Sequence, residues 1–181
     1  MTQGQEDIPV TLVEFGNYEC TVCRRAYPAL RKFRAISATN CGSSFDTFRP
    51  RFIQELHPAE AAGAAGAQGK FWEMHDQLFA HGENALDDSH LISYAGKIGI
   101  DTVRFEHELA EGTYAASVEA NFNRSLYSGI SGTPTFYIND VRYTDSVDEL
   151  LDALIQADTS GRLSQRQHQS GSLIGRLLGR R

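Results

Sequence analysis

Two cysteines, Cys20 and Cys23, separated by two residues, close the stretch Val10-Thr-Leu-Val-Glu-Phe-Gly-Asn-Tyr-Glu-Cys20-Thr-Val-Cys23. A cysteine where a helix begins meets free backbone N–H groups and the positive end of the helix dipole. Its pKa falls, so more reactive thiolate exists at neutral pH. The spacing lets Cys20 attack a foreign disulfide and lets Cys23 resolve the resulting mixed disulfide. A Cys-x-x-Cys pair is also half of a zinc knuckle. The context decides between these chemistries. Val10, Leu12 and Val13 make residues 9 to 15 a strand, Gly16 and Asn17 break it, and a helix is expected over 21 to 35. Strand, cysteine pair, helix is the setting of redox chemistry.

A second candidate element lies far downstream, at Ser131-Gly-Thr133-Pro134-Thr-Phe-Tyr-Ile138. Pro134 precedes a β-rich run, and proline is tolerated at the start of a strand rather than inside one. A Thr–Pro step between a glycine and a strand is a candidate for a cis peptide bond.

Taken together and in this order, the two motifs resemble those of the DsbA-like branch of the thioredoxin superfamily. The resemblance spans roughly residues 8 to 157. It includes Val13-Glu14-Phe15-Gly16, Glu55-Leu56-His57-Pro58, the run from Gln68 to Asp76, and Gly132-Thr133-Pro134-Thr135-Phe136. It implies an α/β, thioredoxin-like fold with an inserted helical subdomain. It further implies thiol–disulfide exchange on protein or peptide substrates, with Cys20 as nucleophile, Cys23 as resolving thiol, and Thr133 and Pro134 shaping the substrate groove. Glu14 is a candidate proton acceptor for Cys23; its other reading is a solvent-facing residue of an alternating strand. No cofactor is implied, only a redox partner for recycling. Two readings of another class stay open: a zinc-bound module using Cys20, Cys23, Cys41 and His57, and a peptide-binding module without catalysis.

The chain has 181 residues, enough for one domain and a tail. Its net charge of −6 argues against nucleic acid as a partner. After Asp158 there are no acids and five arginines, so the rest of the chain carries −11 once those charges are set aside. The expected division is a thioredoxin-like domain over 1–158, with its helical insertion at about 58–128, and a basic, disordered tail over 159–181. No signal peptide and no stretch of membrane-spanning length is visible. As written, the expected compartment is the cytoplasm, with export only if the true start lies upstream. Of the three cysteines, Cys41 is left over.

Along the chain, residues 1 to 8 read as a frayed end. The helix after Cys20 has an apolar face of Ala26, Leu30 and Phe33, and Arg24, Arg25, Arg31, Lys32 and Arg34 read mostly as a solvated face. Pro28 should kink it. Ala59 to Ala67 is an alanine-rich helix weakened by Gly63 and Gly66. Phe71, Trp72, His75, Leu78 and Phe79 share one helical face and read as core. Asp87, Asp101 and Ser146 stand at expected helix starts, and Asn139-Asp140 is a two-residue hairpin turn.

Residues 36 to 53 do not fit. The implied fold needs a strand beside Val10–Phe15, yet Ser37 to Ser44 is loop-like and Phe45 to Pro50 makes a poor strand. If one base is missing after the first two bases of the Ala35 codon, Ile36 to Arg49 can be reread as Asp-Phe-Gly-Asp-Gln-Leu-Arg-Phe-Val-Phe-Arg-His-Leu-Pro. That string is a polar turn followed by an apolar strand. On this reading Cys41 has no evolved role. The strand beside Val10–Phe15 is then expected to be short, irregular or absent.

Overall fold

The computed structural model describes residues 2–3, 10–36, 41–47, 56–81 and 85–160, with the backbone alone for 2–3 and 41–47. The strands are β1 (Thr2–Gln3), β2 (Val10–Gly16), β3 (Cys41–Thr47), β4 (Thr135–Ile138) and β5 (Val141–Tyr143). They form one sheet in the order β1-β3-β2-β4-β5. β1 runs antiparallel to β3, and β4 antiparallel to β5. The helices are α1 (Thr21–Ile36), α2 (His57–Ala67), α3 (Phe71–Ala80), α4 (Asp88–Ile98), α5 (Thr102–Ala110) and α6 (Ala115–Tyr127). A last helix, α7, covers 150–160 after a 3-10 turn at Val147–Glu149. This is a thioredoxin-like fold whose helices α2 to α6 are inserted between β3 and β4. No helix among the described residues is long and apolar enough to cross a membrane. The tail expected to be disordered lies, from residue 161 on, outside the described residues.

Two expectations are overturned here. The strand beside β2 is neither absent nor short: β3 is seven residues long and sits between β1 and β2. A ladder is built from backbone groups, and pairing on both sides overrides the weak strand preference of Cys-Gly-Ser-Ser-Phe-Asp-Thr. The side chain of Cys41 lies outside the described residues. The first residues are not wholly frayed either, since Thr2 and Gln3 pair with Ser44 and Ser43.

Local chemistry fixes the element boundaries. The side chain of Asp87 accepts a hydrogen bond from the His90 N–H, Asp101 from Arg104 and Ser146 from Asp148, each capping the helix or turn that follows. Asn139 and Asp140 both have positive φ, 49° and 65°, as a two-residue turn between β4 and β5 requires. The Asn139 side chain also accepts from the Thr11 N–H at 2.8 Å, and its own N–H donates to the Thr11 carbonyl at 3.0 Å.

The chain divides into two compact units. One comprises Glu14–Tyr27 and Phe45–Thr135; the other comprises the described parts of Thr2–Val13, Pro28–Ser44 and Phe136–Arg181. In the second, Val10, Leu12, Leu30, Phe33, Phe136, Leu150 and Leu154 are buried. In the first, the core gathers Tyr18, Cys23 and Tyr27 with Ala61, Ala62, Ala64 and Ala65 of α2 and with Met74, Leu78 and Phe79 of α3. Glu60 is buried on the same helix; burial pushes its carboxyl pKa up, and His57 opposes that shift. At the start of α6 the N-cap residue Tyr114 gives no side-chain bond, and the Ala115 N–H donates to the Gly112 carbonyl at 3.0 Å.

The glycines of α2 and α4 differ in purpose. A Cβ on Gly63 would lie 3.1 Å from the ring of Tyr114, whereas one on Gly96 would meet nothing nearer than a Thr102 methyl at 3.9 Å. Gly63 is thus a close-approach site, and Gly96 only a weak helix position. Gly96→Ala is expected to raise stability by about 0.5–1 kcal/mol. Gly63→Ala should lower it by about 1 kcal/mol, because overpacking outweighs the same propensity gain. Paired denaturant titrations check both signs.

Candidate thiol site

β2 delivers the chain to the site. Its burial alternates strictly, and Glu14 falls on the buried face with Val10 and Leu12. The reading of Glu14 as a solvent-facing residue is therefore incorrect: it is 4% exposed. Asn17 then turns the chain, its side-chain oxygen accepting from the Glu19 N–H at 2.7 Å and its carbonyl from the Cys20 N–H at 3.0 Å.

Cys20 occupies the position just before α1, and its carbonyl accepts the Arg24 N–H at 3.0 Å. Its half-buried sulfur takes the place of a capping oxygen. The Cys23 thiol hydrogen-bonds to it and is the largest influence lowering its pKa; burial opposes, while the Thr133 side chain and the backbone N–H groups of Cys23 and Val22 add to the lowering. The result is a thiol at about 5, against an ordinary 9.0. Cys23 lies behind it, fully buried, and its pKa moves the other way. The hydrogen bond to Cys20 keeps the proton on Cys23, burial disfavours its thiolate, and the negative charge of Glu14 disfavours it further. Both thiols are free in this structure.

Facing the pair is the segment 132–135. The Cys20 sulfur lies 3.6 Å from the Thr133 carbonyl oxygen. The Thr133–Pro134 peptide bond is cis, and Pro134 stands just before β4. The Thr135 hydroxyl donates to the Gly132 carbonyl at 2.8 Å and closes this turn. Cys20, Cys23, Glu14 and Thr133, four positions singled out from sequence, thus meet in one place.

Sequence reasoning missed what Arg24 binds. Its guanidinium is not part of the solvated face: it donates to the carbonyls of Leu78 and Phe79, both at 3.3 Å, at the end of α3. Only the tertiary fold brings those carbonyls within reach. Of the set considered for zinc, His57 is engaged with Asp88 at 2.7 Å, and no group of three or more potential ligands able to hold a metal occurs among the described residues.

A sheet of this order, a dithiol at the head of the following helix and a cis-proline turn against it define a thioredoxin-type fold with a Cys-x-x-Cys site. Residues 1–157 match the family model described as Thioredoxin, and the chain belongs to that family. Among solved structures it is similar to oxidised BdbD from Bacillus subtilis, with a TM-score of 0.73 and 24% identity over 87% of this chain and 92% of that one. It is also similar to the thiol-disulfide exchange protein α-DsbA2 from Wolbachia pipientis, with a TM-score of 0.69 and 21% identity over 86% and 85% of the two chains. Among curated proteins it is 37% identical over 163 residues to Na(+)/H(+) antiporter NhaA 1 of Salinispora arenicola, covering 87% of this chain and 24% of the antiporter. A similar protein in Herminiimonas arsenicoxydans is 31% identical and covered to 26%. The chain thus spans about a quarter of the length of these curated relatives.

The depressed thiol has a consequence for stability. Cys20 binds its proton less tightly folded than unfolded, so the stabilisation of its thiolate is fully present above the unfolded value of 9.0 and is lost as pH falls through about 5. The disulfide form has no such group. Lowering the pH from 8 toward 5 should therefore destabilise the reduced protein relative to the oxidised one. Thermal melts of both forms across that range check the sign.

Proposed function

We propose that this stretch of chain catalyses thiol–disulfide exchange on protein or peptide substrates. The observation that carries the reading is the division of labour between the two sulfurs. Cys20 is half-exposed and acidic, while Cys23 is buried and holds its proton. A low-pKa thiol in reach of solvent is the one that attacks. Its thiolate forms the new S–S bond to one substrate sulfur, and the other substrate sulfur leaves as a thiolate and is protonated. Cys23 then gives up its proton and attacks the Cys20 sulfur, releasing the second substrate thiol and leaving the Cys20–Cys23 disulfide. Run backwards, the same steps oxidise a substrate dithiol. Glu14, buried and electrostatically coupled to Cys23, is the proposed proton acceptor in the second step. Thr133 and Pro134 are proposed to receive the substrate backbone beside Cys20. A separate redox protein recycles the pair, and no cofactor takes part.

That the longer relatives are Na(+)/H(+) antiporters supports placing this exchange unit beside a transport function in such proteins; the reaction proposed here belongs to the thiol unit alone. Cys20→Ser should abolish disulfide exchange with a model peptide, by at least about 100-fold, since Cys23, the other described thiol, is buried and holds its proton. Cys23→Ser should instead accumulate a mixed disulfide on Cys20, visible by mass spectrometry. Equal loss in both variants without trapped adduct would reject the assignment of roles. Equilibration with glutathione buffers gives the direction in which the pair works.

A further inference from the structure

The segment carrying the two cysteines is gripped from both sides by one helix, α3. Before the pair, Tyr18 is 2% exposed; its hydroxyl is 3.2 Å from His75 Nδ1 and its ring lies 4.9 Å from that of Phe79. After the pair, the Tyr27 ring stacks on Phe79 at 5.2 Å and meets the His75 ring at 6.2 Å. Between them, Arg24 holds the carbonyls of Leu78 and Phe79. His75 itself is 3% exposed and packs edge-on against Trp72 at 5.1 Å and Phe79 at 4.9 Å.

This arrangement splits the thiol site into two parts with separate anchors. Three of the donors to the Cys20 sulfur, the Cys23 thiol and the N–H groups of Val22 and Cys23, sit in the first turn of α1, which Arg24 and Tyr27 tie to α3. The sulfur belongs to the residue two positions after Tyr18, which is tied to α3 through His75. Hydrogen bonds weaken steeply as their angle closes. The alignment of sulfur and donors therefore depends on both anchors, and a buried polar link on the sulfur's side is the Tyr18–His75 bond. A polar pair inside an aromatic cluster costs desolvation for packing that a phenylalanine would provide as well, which points to a role in placing the loop.

Resting on the thiol-exchange reading above, we infer that Tyr18 and His75 are positioning residues for Cys20: their buried hydrogen bond sets the loop that carries the sulfur to its donors. The bond acts as a unit, so either partner's loss removes the same effect.

The test is site-resolved alkylation of reduced full chain by iodoacetamide across pH 3.5–8, read at Cys20 by mass spectrometry, on wild type, Tyr18→Phe, His75→Phe, the double variant and His75→Asn. Tyr18→Phe keeps every ring contact and removes one oxygen, so it is the variant safest for folding. The Cys20 midpoint is expected to rise by about half a unit in each single phenylalanine variant, which is about threefold less alkylation below the midpoint. The double variant should shift no further than either single one. His75→Asn, which can keep a hydrogen-bonding atom near the Nδ1 position, should recover most of the shift. If melting temperatures fall while the Cys20 midpoint stays at the wild-type value in Tyr18→Phe, the bond is purely structural and the inference is wrong. Additive shifts in the double variant would also overturn it. A wild-type Cys20 that titrates as an ordinary thiol would instead overturn the reading on which the inference rests.

Discussion

A negative sulfur at the head of a helix is the interaction on which the rest of this structure depends. A thiolate is stabilised here mainly by hydrogen-bond donors: the Cys23 thiol, the Thr133 side chain and two backbone N–H groups of α1. Donors of this kind act only at short range and in a narrow range of directions. The sulfur therefore needs a fixed helix start, a fixed approach loop and a fixed turn opposite. β2 and the Asn17 turn supply the approach, α1 supplies the donors, and the Gly132–Thr135 turn supplies the wall. Opposite shifts of the two thiols follow from the same contact. One proton is shared, and burial together with the Glu14 charge assigns it to Cys23.

The energetic part of the helical insertion here is that of a platform. α3 presents an unbroken apolar face of Met74, Leu78 and Phe79, with His75 set among them. Alanine-rich α2 packs with it in one core, and small side chains permit that close approach. Arg24 satisfies carbonyls at the end of α3 that no intrahelical donor can reach.

Much of the site was legible because its logic is local. A cysteine pair between strand and helix, a proline at a strand's first residue, and capping residues such as Asp101 and Ser146 each declare themselves within a few positions. What escaped has non-local causes. The Tyr18–His75 contact joins positions 57 residues apart, and Gly63 is explained only by the ring of Tyr114 lying across it. Glu14 could not be placed from alternation alone, because that pattern does not say which face is buried until the sheet is assembled. β3 was misjudged for the opposite reason: its residues have weak strand preference, and neighbours on both sides make the strand regardless.

The placement of β3 also bears on how the molecule behaves among copies of itself. With the longer strands inside, the outer positions of the sheet fall to β1, of two residues, and β5, of three. Unpaired backbone at a sheet's rim is a template for intermolecular pairing, and its hazard grows with length. β5 adds an arginine, Arg142, at the middle of its short run, a charge that would have to be desolvated by an incoming strand. Among the described residues, the sheet thus leaves little backbone rim for another chain to pair with.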